Sequence, residues 1–169
     1  AVDGPRGDMM GLSIDQMKLS RIAREGAERL QAECPWVVFT SGRRDLESQA
    51  RVMAVNTLKN RQWIGQTYLA AHKLQDWVTA NHNAQTIEQV SDGLYSILLG
   101  MSDQELLSVS KHLTGDAFDV RPMVSGDAPT LYGEKILDVM RSLPGLHKIL
   151  RKEGGLIIWH AQFLPSVEV

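Results

Sequence analysis

The stretch Ser110-Lys111-His112-Leu113-Thr114-Gly115-Asp116-Ala117-Phe118-Asp119 sets an imidazole and a carboxylate seven residues apart around a glycine. Gly115 admits a tight turn, and the residues from Asp116 to Arg121 read as a strand. Side chains alternate along a strand, so Ala117, Asp119 and Arg121 share one face while Phe118 and Val120 point to a core. This predicts Asp119 on an open face, with His112 brought in by the preceding turn, Ala117 leaving room beside it and Asp116 directed away. A second imidazole closes the run Gly154-Gly155-Leu156-Ile157-Ile158-Trp159-His160, which reads as a last strand from Leu156 to His160 with Ile158 and His160 on one face. Pairing of these two strands would gather His112, Asp119 and His160. Two imidazoles and one carboxylate are the donor set of a catalytic zinc that keeps its fourth position open. A divalent ion there lowers the pKa of bound water towards neutrality and polarises a carbonyl, so amide hydrolysis needs no serine or cysteine nucleophile. Each histidine alone reads as an ordinary structural side chain; the joint pattern with Asp119 turns the reading to metal.

Outward from this segment the chain alternates helical and strand periodicities, which predicts an α+β domain. Ser13-x-x-Gln16 is a capping box, and Met17, Ile22, Ala23, Ala27 and Leu30 form one apolar stripe, giving a helix from about Ile14 to Ala32. Pro35 ends it, and Trp36-Val37-Val38-Phe39-Thr40 reads as a strand broken by Ser41-Gly42. Arg44 then falls just past a strand end, before a helix from about Asp45 to Leu58. Its planar fork suits a carboxylate; the plainer reading is an ion pair with Asp45 or Glu47. From Arg61 to Leu99, Trp63, Tyr68, Leu69, Leu74, Trp77, Val78, Ile87, Val90, Leu94, Ile97 and Leu98 recur at helical spacings, predicting two helices broken near Asn81-His82-Asn83. The aromatics there read as core and His72 and His82 as surface or helix-end residues. Met101-Ser102-Asp103-Gln104-Glu105 opens a short helix. Pro122 to Pro129 reads as a loop, Leu131 to Leu143 as a helix and Gly145 to Lys152 as another short helix.

With 169 residues, 43% of them hydrophobic and 22% charged, the chain has the size and composition of one globular domain. We expect a flexible lead-in over residues 1–10, a single domain over 11–169 and a helical insertion at about 61–100. Eighteen Lys and Arg against twenty acids leave a net charge of −2 and no global field for nucleic acid. The basic stretch from His147-Lys148 to Arg151-Lys152 reads as solvated surface. The single cysteine, Cys34, excludes an internal disulfide framework. No apolar run is long enough to span a bilayer, and the first residues lack the basic and apolar regions of a signal peptide.

Ser110, His112, Gly115, Ala117 and Asp119 match a Ser-x-His-x-x-Gly-x-Ala-x-Asp signature, and in this the chain resembles the M15 family of zinc peptidases. That family includes D-alanyl-D-alanine carboxypeptidases and dipeptidases and the L-alanyl-D-glutamate endopeptidases of phage endolysins. The segment from Thr40 to Gln49 is similar to the family's Ser-Gly-x-Arg-x-x-x-x-Gln stretch, and the order of the elements agrees. The resemblance implies a hedgehog or DD-peptidase-like fold, a small antiparallel sheet carrying the zinc and flanked by helices. It implies Zn2+ on His112, Asp119 and His160, with Arg44 and Gln49 holding a peptidoglycan peptide. A monomeric phage-type or bacterial enzyme acting on the cell wall follows from it.

One position departs from the family. An acidic residue commonly stands three places before the last histidine and acts as general base, and here that place is Ile157. Glu153, next to two glycines, is the nearest replacement; Asp116, Glu134, His147 and Glu168 are other candidates. The departure also leaves room for a catalytically impaired, zinc-stabilised module that binds cell-wall peptide or a protein partner. A metal-free, muramidase-like lysis protein is a third reading; Glu33 and Glu47 are available for it, but nothing around them marks a carboxylate pair.

Overall fold

The computed structural model describes residues 11–68 and 71–164, so the lead-in expected over 1–10, Leu69 and the candidate base Glu168 lie outside the described residues. The described residues form two compact units. The first comprises those up to Arg43, Thr114–Lys152 and those from Ile157 on; the second comprises Arg44–Leu113 and Glu153–Leu156. Helices and a small antiparallel sheet make the fold α+β.

The sheet is built on β2 (Ala117–Val120), which pairs antiparallel with β1 (Phe39–Ser41) on one side and β6 (Leu156–Phe163) on the other. β5 (Leu146–Glu153) lies beyond β6, giving the order β1-β2-β6-β5. As the alternation predicts, Phe118 and Val120 turn to one face, opposite Ala161 and Trp159 in the β2–β6 register. They join Phe39 and Phe163 in a buried cluster with Ala23, Ala27 and Leu30 of α2 (Arg21–Glu33) and Ile136, Leu137 and Met140 of α8 (Leu131–Arg141). Each large apolar side chain buried there contributes about 1.5–3 kcal/mol.

Four expectations for this unit are corrected. The stripe read as one helix from Ile14 to Ala32 is two helices, α1 (Ile14–Met17), which does carry the Ser13 capping box, and α2. Lys18 closes α1 at φ 48°, and the freed backbone pairs elsewhere: Ser20 N–H donates to the Gly115 carbonyl at 2.9 Å, and the Met17 carbonyl accepts from Arg43 N–H at 2.8 Å. The strand expected over 36–40 is confined to Phe39–Ser41. Trp36, Val37 and Val38 are buried outside the assigned strand; the Val38 carbonyl accepts the Arg121 N–H at 2.8 Å, and the Trp36 indole donates to the Tyr132 carbonyl at 3.2 Å. The loop expected from Pro122 to Pro129 contains a small hairpin of β3 (Val124–Ser125) and β4 (Ala128–Pro129). The helix expected over 145–152 is β5 instead. Leu146, Ile149 and Leu150 fit helical spacing, but Gly154 and Gly155, at φ 56° and 82°, supply the two left-handed residues that a two-residue hairpin turn needs. That turn folds residues 146–153 back beside β6, which itself runs past His160 to Phe163.

The second unit is helical. α3 (Leu46–Lys59) starts where expected, capped by Asp45. The Ser48 backbone N–H bonded to Asp45 holds that carboxyl below the usual carboxylate range. The predicted pair of helices over 61–99 is a set of three, α4 (Trp63–Thr67), α5 (His72–Ala80) and α6 (Ile87–Leu99), with the break at 81–86 as expected and one more after Thr67. Arg61 stabilises the expected break by donating to the Ala84, Asn81 and Val78 carbonyls. α7 (Asp103–Val109), capped by Ser102, follows. Trp63, Met53, Leu74, Leu94 and Leu98 make a buried core, so Trp63 is core, as read; His72 and His82 are exposed. No helix among the described residues is long and apolar enough to cross a membrane.

Two outcomes follow from this packing. Cys34 is fully buried, and burial pushes its thiol up to about 11. At pH 8 a thiol-exchange reagent should label the native chain slowly and the urea-unfolded chain at once; fast native labelling would contradict the burial. A Cβ at Gly93 would collide with the indole ring of Trp77. Gly93→Ala should therefore lower unfolding stability by a net of about 1–2 kcal/mol in urea titrations, overpacking outweighing the gain in helix propensity.

Candidate metal centre

The polar side of the sheet follows from one irregularity. Phe39 pairs with Val120, yet Ser41, two residues on, pairs with Asp119, one residue back. A bulge thus adds one residue to β1 and brings Ser41 opposite Asp119 where a regular ladder would bring Thr40. On the other edge of β2, Asp119 pairs with His160. Ser41, Asp119 and His160 form a row across three strands: Ser41 Oγ donates to Asp119 Oδ2 at 2.6 Å, and Asp119 Oδ1 lies 2.9 Å from His160 Nδ1. His160 Nε2 lies 3.0 Å from Gln162 Oε1. The Ser41 hydroxyl is bonded to the carboxylate, whereas a serine nucleophile would donate to the imidazole, so the row is not a serine-hydrolase relay.

His112 is supplied by a 3-10 turn, Lys111–Leu113, just before the chain enters the first unit. Ser110 Oγ accepts the His112 N–H at 3.2 Å, and the His112 carbonyl accepts the Arg44 N–H at 3.0 Å, so the turn is pinned at both ends. Gly115, at φ 79°, takes the next turn where a side chain would crowd the Lys18 carbonyl and Ser20 nitrogen. One ligand atom from each of His112, Asp119 and His160 lies within 4.8 Å of the others, and all three residues are buried. Two imidazoles and a carboxylate at that spacing can hold a metal ion, since bonds of about 2.0–2.2 Å span it after small side-chain rotations. The open face expected for Asp119 is corrected: the residue is 8% exposed.

The other candidate residues fall as follows. Arg44 Nη1 donates to Gln49 Oε1 at 3.2 Å, and Gln49, fully buried, passes a weaker bond of 3.4 Å to the Tyr68 hydroxyl. Arg44 and Gln49 are thereby brought together, with Tyr68, read from the sequence only as a core aromatic, as a partner of Gln49. Glu153 ends β5, its carbonyl accepting the Trp63 indole N–H at 3.0 Å, and it is not among the three residues grouped for a metal. Asp116 accepts the Thr114 hydroxyl at 2.6 Å. Glu134 and His147 are exposed on α8 and β5. Ile157 packs against the core cluster of the first unit, as its odd place in β6 beside Trp159 and Ala161 requires. Sequence reading also missed Ser41 and Gln162 as partners of the cluster. Gln162 was legible in principle, because it stands two residues after His160 on a strand and so shares its face.

Asp119→Ala would strip an acceptor from both Ser41 and His160. Leaving buried donors unmatched costs about 1–3 kcal/mol, so in chelator-treated protein this variant should unfold at lower urea than the parent. An unchanged midpoint would mean that the row adds nothing to the metal-free fold. Searches of family models, curated proteins and solved structures found no match to this chain.

Proposed function

We propose that the chain is a zinc-dependent peptidase of the M15 type, with the hedgehog or DD-peptidase-like sheet that this implies, hydrolysing bonds in peptidoglycan stem peptides or cross-links. The observation that carries this reading is the gathering of His112 and Asp119, which match the family signature, with His160, the late histidine of the chain, into one buried group. An ion held there would act as a Lewis acid on a carbonyl oxygen and activate a water for attack. The chain's own residues take the remaining tasks. Arg44, with its guanidinium anchored on Gln49, binds a carboxylate of the peptide, and Glu153 accepts a proton. The cell wall, as target of a phage-type or bacterial lytic enzyme, belongs to the same proposal.

A second reading, a zinc-stabilised module that binds cell-wall peptide or a protein partner without cutting, is favoured by Ile157. Its partly buried side chain packs against the core cluster, so the place that bears an acid in the family serves packing here. A missing base costs about 10²–10⁴-fold in rate, which would leave binding as the main property.

Metal content by mass spectrometry, together with release of amino groups from purified peptidoglycan, separates these readings. The peptidase should carry about one zinc per chain and lose both zinc and cleavage in His112→Ala. Glu153→Gln should keep the zinc and lower cleavage by about 10²–10⁴-fold. Zinc without cleavage in the parent chain selects the binding module, and absence of zinc defeats both.

A further inference from the structure

Both non-ligating ends of the Asp119–His160 pair are occupied by side chains of types that rarely bind zinc. Gln162 Oε1 faces His160 Nε2 at 3.0 Å, and a carbonyl oxygen only accepts, so when Nδ1 takes an ion the hydrogen on Nε2 has its acceptor in place. Nδ1 is the nitrogen turned to Asp119 Oδ1, at 2.9 Å, the side on which an ion would sit. On the carboxylate, Ser41 Oγ occupies Oδ2 at 2.6 Å and leaves Oδ1 on the His160 side. Two independent features place these partners. The β1 bulge brings Ser41, not Thr40, opposite Asp119. Gln162 stands directly across from Ala117, whose methyl leaves the longer side chain room to turn along β6 towards His160.

We propose that Ser41 and Gln162 are positioning residues for the metal centre: Gln162 selects the Nε2–H tautomer of His160 so that Nδ1 faces the ion, and Ser41 holds the Asp119 carboxylate so that Oδ1 does. This rests on the metal reading above and deepens it. Partners of this kind fix ligand orientation and are worth about 10–100-fold in metal affinity. It also gives Ala117 of the signature a task, making space for the amide that orients the histidine.

The test measures zinc affinity by competition with a chromophoric chelator, with 1H–15N spectra of the zinc-loaded chain and thermal melts of the metal-free chain. Ser41→Ala and Gln162→Leu should each bind zinc about 10–100-fold more weakly. Ser41→Thr and Gln162→Glu, which keep the hydroxyl donor and the acceptor, should stay within about threefold of the parent. The His160 Nε2–H resonance should be slow to exchange in the parent and in Gln162→Glu and be lost in Gln162→Leu. Should Gln162→Leu fail to fold, Gln162→Met replaces it. Parent-like affinity in Ser41→Ala and Gln162→Leu, with zinc lost from His112→Ala, overturns this proposal and leaves the metal reading standing. No zinc on the parent chain overturns both.

Discussion

A carboxylate buried in the middle of a sheet must be matched by donors or cations, because removing it from water unpaired costs several kcal/mol. Asp119 is that carboxylate. Its match is assembled from both flanking strands, a hydroxyl from β1 and an imidazole from β6, each directly in register. The bulge in β1 serves this pairing by bringing Ser41 opposite Asp119. If the bulge were lost, Ser41 would slip out of register with Asp119 and the β1 side of the carboxylate would lose its donor.

Strand parity then divides the chemistry of the sheet. Even positions of β6 carry His160 and Gln162 to the polar side, and odd positions carry Ile157, Trp159, Ala161 and Phe163 to the apolar cluster. Isoleucine at position 157 suits its partly buried place against that cluster. The second unit shows the same economy at Gln49, a buried amide whose oxygen holds Arg44 and whose nitrogen reaches Tyr68.

Much of the local structure was legible in the residues. The capping box at Ser13, the helix starts near Asp45 and within Met101–Glu105 and the Phe118/Val120 alternation are short-range signals that act over one turn or one strand, and each appears where it was read. His112, Asp119 and His160 were legible for a different reason: their residue types are informative together, and strand alternation limits which can share a face.

What the sequence by itself determined, then, is the α+β character, the Ser13 cap and the three residues that converge. Only tertiary structure decided the rest. Residues 146–152 have apolar spacing that suits a helix, and pairing along β6 made them a strand, because backbone hydrogen bonds to a neighbour outweigh a weak local preference. The stripe from Ile14 to Ala32 was cut at Lys18 by backbone bonds to Gly115 and Arg43, groups far away in the chain. Ser41 and Gln162 joined the cluster through a bulge and a register. Register is a relation between strands, and no single strand carries it in its own residues.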